Sequence, residues 1–140
     1  MDQRQEPLQP PSPGDSVYSR VGPAPIARFA ELLYQGIDRD ASIRAMFSDD
    51  VGPASDAVRD MREFLIQFFG GPADYSHRKG HPRLRARHLR FTITPRARDA
   101  WLGHAMAALD ATIAEHRIEP RTAEEMRDYF VRASAFMINT

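Results

Sequence analysis

Apolar residues recur every three to four positions along four long stretches of this chain, the spacing of one helix face rather than the alternation of a strand. Ile26, Phe29, Ala30, Leu33, Tyr34 and Ile37 form the first stripe, with Pro25 suited to a first helical turn and Gly36 near its end. A short turn over 42–47 follows. Gly52-Pro53 is expected to open a second helix with the stripe Ala57, Met61, Phe64, Leu65 and Phe68, stopped by Gly70-Gly71-Pro72. Residues 70–83 read as an irregular Gly/Pro-punctuated stretch leading to a short helix over 84–89. Thr94-Pro95 has the form of an N-cap followed by proline at the first helical position, starting a helix through Trp101, Leu102, Met106, Leu109 and Ile113. Pro120 ends the connection after it. Thr122 with Glu125 three residues on has the capping-box form, and Met126, Tyr129, Phe130, Ala133, Phe136 and Met137 supply the last apolar face. No convincing strand and no internal repeat is present, so the pattern predicts an all-α fold of about five helical pieces.

Composition narrows the chemistry. The 140 residues fit one domain. With no cysteine, disulfide frameworks, zinc–thiolate sites, iron–sulfur clusters and thiol nucleophiles are excluded, and any metal must be held by histidine or carboxylate. Nineteen basic and nineteen acidic residues cancel, so nothing global recommends nucleic acid as a partner. No apolar stretch approaches the roughly 20 residues that span a bilayer, and the N-terminus lacks a signal-peptide core; a soluble cytoplasmic protein is the expectation. Residues 1–15 hold four of the eleven prolines and one large aliphatic side chain, Leu8. They read as a disordered Pro-rich extension ahead of a domain spanning 16–140.

Charge is unevenly placed. Residues 75–98 carry eight lysines and arginines and no acid, together with His77, His81 and His88. Three readings compete for this window: a solvated basic loop, a phosphate-binding surface with few aromatics for stacking, and a pocket for a planar anionic ligand whose central metal takes one histidine. Leu84, His88 and Phe91 are expected to share a helical face, which would set an imidazole between apolar neighbours with arginines at the rim. That arrangement suits haem, which needs an axial imidazole, an apolar slot and cations for its propionates.

The motifs Gly70-Gly71-Pro72, Tyr75, Gly80-His81-Pro82-Arg83-Leu84-Arg85-Ala86-Arg87-His88, Phe91, Ile93 and Asp99-Ala100-Trp101-Leu102 resemble, in order and spacing, the truncated haemoglobins of group II. Phe29 to Tyr34, Phe47 and Phe64 to Gln67 extend the resemblance over residues 17–138. It implies a shortened globin fold, a two-over-two helical sandwich around haem b. Residue by residue, His88 matches the proximal iron ligand, Tyr34 the distal tyrosine and Trp101 the distal tryptophan. Read without the resemblance, Tyr34 and Trp101 fit core packing equally well. Phe47 falls where the family places an aromatic against the haem, often one able to hydrogen-bond. Ala57 stands where vertebrate globins carry the distal histidine, with Met61 one turn on. Phe64, Leu84 and Phe91 are expected to line the walls. Arg83 and Arg87 are the expected propionate contacts, with Tyr75, Lys79 and His81 as competitors, and Ala105 and Ala108 are expected to let their helix approach the cofactor closely. One departure stands out: Val21-Gly22-Pro23 replaces the family's first glycine pair, so the opening of the first long helix should differ.

The resemblance implies binding of dioxygen and other diatomic ligands at ferrous iron, for oxygen binding, transport, storage, sensing or scavenging. The alternative is a haem enzyme with peroxidase or nitric oxide dioxygenase activity. No flavin domain is visible, so turnover would need an external reductase. A monomer or a homodimer fits equally.

Overall fold

The computed structural model describes residues 14–89 and 91–140, apart from the side chains of Leu84 and Arg85. The expected disorder of the Pro-rich extension therefore falls almost wholly outside the described residues. Seven α-helices and one 3-10 turn follow in order: α1 (Val17–Val21), α2 (Pro23–Asp38), the 3-10 turn Arg44–Met46, α3 (Asp56–Phe68), α4 (Asp74–Lys79), α5 (Leu84–His88), α6 (Pro95–His116) and α7 (Pro120–Met137). No strand occurs among the described residues, as the apolar spacing predicts. The helix α2 packs against α3 and α6, and α6 packs against α7, so two helices lie over two.

The core forms where the four apolar stripes meet. Phe29 of α2 stacks on Phe130 of α7 with ring centroids 4.7 Å apart, and Ile26, Leu33, Ile37, Leu65, Leu109 and Met126 are fully buried around them. Ala105 and Ala108 are also buried. They belong to the packed core and not to the wall of the cavity described below, which corrects the expectation of a close approach to a cofactor. Gly36 makes the α2–α6 contact tight: a Cβ there would stand 2.8 Å from His104 Nδ1. The same His104 bonds through Nε2 to Asp40 at 2.7 Å, pinning the chain just after α2 to the middle of α6.

Several boundaries differ from the sequence reading. Gly52-Pro53 sits in a turn, and the helix that it was expected to open starts at Asp56, capped by the Ser55 hydroxyl, which accepts from Val58 N at 3.2 Å. Thr122 is no cap. It lies inside α7, which begins at Pro120 after Glu119, and its buried hydroxyl accepts from Arg20 at 2.8 Å and donates to Glu119 at 2.8 Å. Thr94 caps α6 as its sequence suggests, accepting from Ala97 N at 3.0 Å with Pro95 at the first position; such caps contribute about 1 kcal/mol.

Two short helices escaped the periodicity. Ser16 and Ser19 cap α1 reciprocally, and Tyr18 N donates to Phe69 O at 2.9 Å, so α1 is tied to the end of α3. Here Gly70 is required. Its φ of 107° lies in the region that side chains disfavour, and a Cβ would run into Ser16. At the opening of α2, Gly22 at φ 75° precedes Pro23 without any side-chain cap. The second short helix, α4, is held by its neighbour: Gln67 exchanges two hydrogen bonds with Ser76 (2.7 and 2.9 Å), while Arg78 and Lys79 reach Asp60 and Glu63 of α3.

Candidate functional site

Between α2, α3, α6 and α7 lies a largely apolar cavity of about 260 Å³. Three helices, α2, α5 and α6, deliver four of its polar groups. Tyr34 comes from the buried stripe of α2, Trp101 from the second turn of α6, His88 from the last position of α5, and Arg98 from the first turn of α6.

Tyr34 is 7% exposed and its hydroxyl bonds to none of the described residues. Phe47, after the 3-10 turn, meets its ring edge-on at 5.9 Å. Burial, helped by the negative charge of Asp60, pushes the Tyr34 phenol up to about 12 from its ordinary 10. The phenol is therefore a neutral donor throughout the physiological range. Because its folded-state pKa is the higher one, the unfolded chain releases this proton first; Tyr34 costs no stability below about pH 10, and stability falls as pH rises from there towards 12. A tyrosinate absorbance titration of wild type minus Tyr34→Phe should show one phenol ionising near 12, and a component at 10 would contradict the buried placement.

The indole of Trp101 is half-buried beside Phe130, with centroids 6.2 Å apart, and its N–H also bonds to none of the described residues. Two unspent donors thus border one apolar space. No side-chain nitrogen or oxygen of the described residues is buried without a partner, so these two donors are accessible rather than sealed in.

His88 is half-buried and lines the same cavity. The helix that carries it stops there, and the chain turns so that Phe91 N donates to His88 O at 3.0 Å. Phe91 therefore reaches the cavity from beyond the helix end and not along the shared helical face expected for it. The Leu84 side chain lies outside the description. Met61 and Phe64 of α3 line the cavity too, whereas Ala57 does not.

The basic residues sort differently from the sequence expectation. Arg83, Arg87, Lys79, His81 and Tyr75 are all absent from the cavity wall. The Arg87 guanidinium donates to the carbonyls of Pro82, Lys79 and His81 at 2.6, 2.9 and 3.2 Å and lies 5.9 Å from the Tyr75 ring centre. Lys79 pairs with Asp60 at 3.0 Å. Arg83 adopts a left-handed backbone at φ 45°, with its N–H donating to His81 Nδ1. Among the described residues the arginine in the wall is Arg98, whose partly exposed side chain also pairs with Asp99 at 2.8 Å. Sequence reasoning passed over Arg98, and also Tyr129, Phe130 and Met137 as lining residues, having read those three only as core.

Chemically, the arrangement accommodates a flat, largely apolar molecule that offers a metal to one imidazole and an ionised group to an edge cation. Among the described residues no three His, Asp or Glu side chains gather to hold a bare metal ion, so the donor set is one imidazole in an apolar slot. These residues fit haem. The chain matches the bacterial-like globin family over residues 16–135, and it is 33% identical to the group 2 truncated hemoglobin YjbI of Bacillus subtilis across 66% of this chain and 68% of that one. The chain is a bacterial-like globin of truncated group II. Among solved structures, this globin superposes on the hemoglobin of the thermophilic phototroph Chloroflexus aurantiacus with a TM-score of 0.81 at 38% identity, covering 90% of this chain and 99% of the other. It also superposes on a truncated oxygen-avid haemoglobin from Bacillus subtilis with a TM-score of 0.80 at 28% identity, covering 89% and 100%. The globin thus has the two-on-two fold and binds haem, at which globins take diatomic ligands. No helix of its described residues is long and apolar enough to cross a membrane.

Proposed function

We propose that this globin would hold haem b in the cavity through His88, and that Tyr34 and Trp101 retain dioxygen there for storage, sensing or scavenging. One observation carries the reading: a buried phenol and an indole, neither bonded to the described residues, border the same apolar cavity as a single histidine. The haem, once bound, supplies the position at which a diatomic ligand is held. Every other function falls to side chains. His88 anchors one face. Tyr34 and Trp101 donate to a polar ligand, while Phe47, packed on the Tyr34 ring, adds no donor and restricts the phenol's motion. Met61, Phe64 and Phe91 keep the slot apolar, and small Ala57 leaves space at the side for ligand entry. Arg98 is the first choice for a propionate, since its side chain borders the cavity. The oxygen-avid character of the Bacillus subtilis haemoglobin supports retention over rapid exchange. The domain spans residues 16–140 of a cytoplasmic protein, and any turnover at the haem would draw electrons from an external reductase.

Trp101 is the chain's only tryptophan, so its fluorescence reports on the cavity alone. Titrating hemin into the apoprotein should quench that emission almost completely, with an endpoint at one hemin per chain. Binding at full stoichiometry with undiminished emission would place the haem elsewhere and overturn the reading.

A further inference from the structure

The described residues between α5 and α6 carry Phe91 and Ile93 to the cavity wall, and the backbone over 91–94 lies outside any helical ladder. Polar backbone groups in such a half-buried segment need partners from elsewhere. Here one residue near the far end of the chain provides them. The Asn139 side-chain oxygen accepts from Ile93 N at 2.8 Å, its Nδ2 donates to Phe91 O at 2.9 Å, and its own backbone N donates to Ile93 O at 3.0 Å. Asn139 stands just past the end of α7, where Ile138 N closes the helix on Ala135 O. Phe91 in turn bonds through its N–H to His88 O. A continuous set of hydrogen bonds therefore runs from the end of α7 through Asn139 and Phe91 to His88.

The residue type is demanding. Bridging an N–H and a carbonyl of the same strand-like segment takes one acceptor and one donor on a short planar side chain, which an amide supplies and a carboxylate does not. Glutamine has the groups but one more methylene, which displaces them from the backbone that they serve.

We infer that Asn139 is a positioning residue for His88: it fixes the segment that follows the imidazole and so sets how firmly that imidazole is presented to the cavity. This rests on the assignment of His88 as axial ligand. Through Asn139, the end of α7 bears on the proximal side by way of the backbone of the segment that follows His88.

The test uses the full-length haem protein and three variants, Asn139→Ala, Asn139→Asp and Asn139→Gln. The readouts are the iron–imidazole stretching band of the ferrous form in resonance Raman, the rate of haem transfer to an acceptor globin, and amide hydrogen exchange at Ile93. Two side-chain hydrogen bonds of about 1 kcal/mol each predict haem loss faster by roughly 10-fold or more in Asn139→Ala, with a shifted or split stretching band and faster exchange at Ile93. Asn139→Asp keeps the acceptor for Ile93 N but sets a carboxylate oxygen against Phe91 O, so it should shift the band while Ile93 stays protected. Asn139→Gln should lie nearer Asn139→Ala than wild type. An unchanged band alongside faster Ile93 exchange would reduce Asn139 to a structural tie and overturn the proposal while leaving His88 as ligand. Absence of any iron–imidazole band in the wild type would instead remove the His88 assignment itself, and this inference with it.

Discussion

Replacing His88 with alanine is expected to accelerate haem loss to an acceptor globin by about 100-fold or more and to abolish the five-coordinate ferrous spectrum. Removing a residue that merely supports a metal ligand typically costs 10- to 100-fold, so removing the ligand sets a larger effect. The structure offers no substitute imidazole. Of the five histidines, His77 and His81 are exposed outside the cavity wall, His104 is engaged with Asp40 at 2.7 Å, and His116 ends α6 on the surface. His77→Ala and His81→Ala are the natural controls and should retain haem as the wild type does. If either of them loses it while His88→Ala keeps it, the proximal assignment moves.

The second large effect concerns Tyr34 and Trp101. Tyr34→Phe removes one hydrogen-bond donor with little change of volume, Trp101→Phe removes one together with part of the indole's bulk, and each should raise the oxygen off-rate by roughly 10-fold or more, at about 1.5–3 kcal/mol per bond to a charged acceptor. Association should change little, because neither substitution adds bulk and no distal histidine guards the side near Ala57. Carbon monoxide, a weaker acceptor, should respond less. If the phenol and indole also bond each other around the ligand, the double variant will deviate from the sum of the singles. Stopped-flow replacement of oxygen in the four proteins measures this directly. Equal off-rates in wild type and double variant would show that neither side chain holds the ligand. Nitric oxide and peroxide turnover by the same four proteins then separates an oxygen-retaining globin from an enzyme using the same donors.

The four long helices were legible because their buried faces repeat at helical spacing, and α6 began as read because Thr94 and Pro95 encode the cap locally. Where a boundary depends on distant partners, the local signal misleads. Thr122 has the sequence form of a cap, yet Arg20, about a hundred residues earlier, occupies its hydroxyl inside α7. Similarly, α4 has only six residues between glycines and prolines, and its stability comes from Asp60, Glu63 and Gln67 on α3, which no window around residues 74–79 contains.

At the site, seven residues singled out in the sequence, Tyr34, Phe47, Met61, Phe64, His88, Phe91 and Trp101, do border one cavity. Apolar periodicity alone did not distinguish wall from core: Tyr129, Phe130 and Met137 belong to the same stripe as Met126, which is fully buried in packing. Nor does a run of arginines reveal which one turns inward. Arg98 reaches the cavity because α6 starts at Pro95 and sets the direction of its first turn, while Arg87 is spent on three carbonyls of its own loop. Asn139 was silent for the same reason, since its partners lie nearly fifty residues away.

The most direct test is the ferrous absorption spectrum of His88→Gly with and without added imidazole. Without imidazole, the variant should lack the wild-type five-coordinate ferrous bands; with imidazole filling the vacated space, those bands should return. A His88→Gly spectrum identical to wild type before any imidazole is added would mean that another residue holds the iron, and the site built here around His88, Tyr34 and Trp101 would be contradicted.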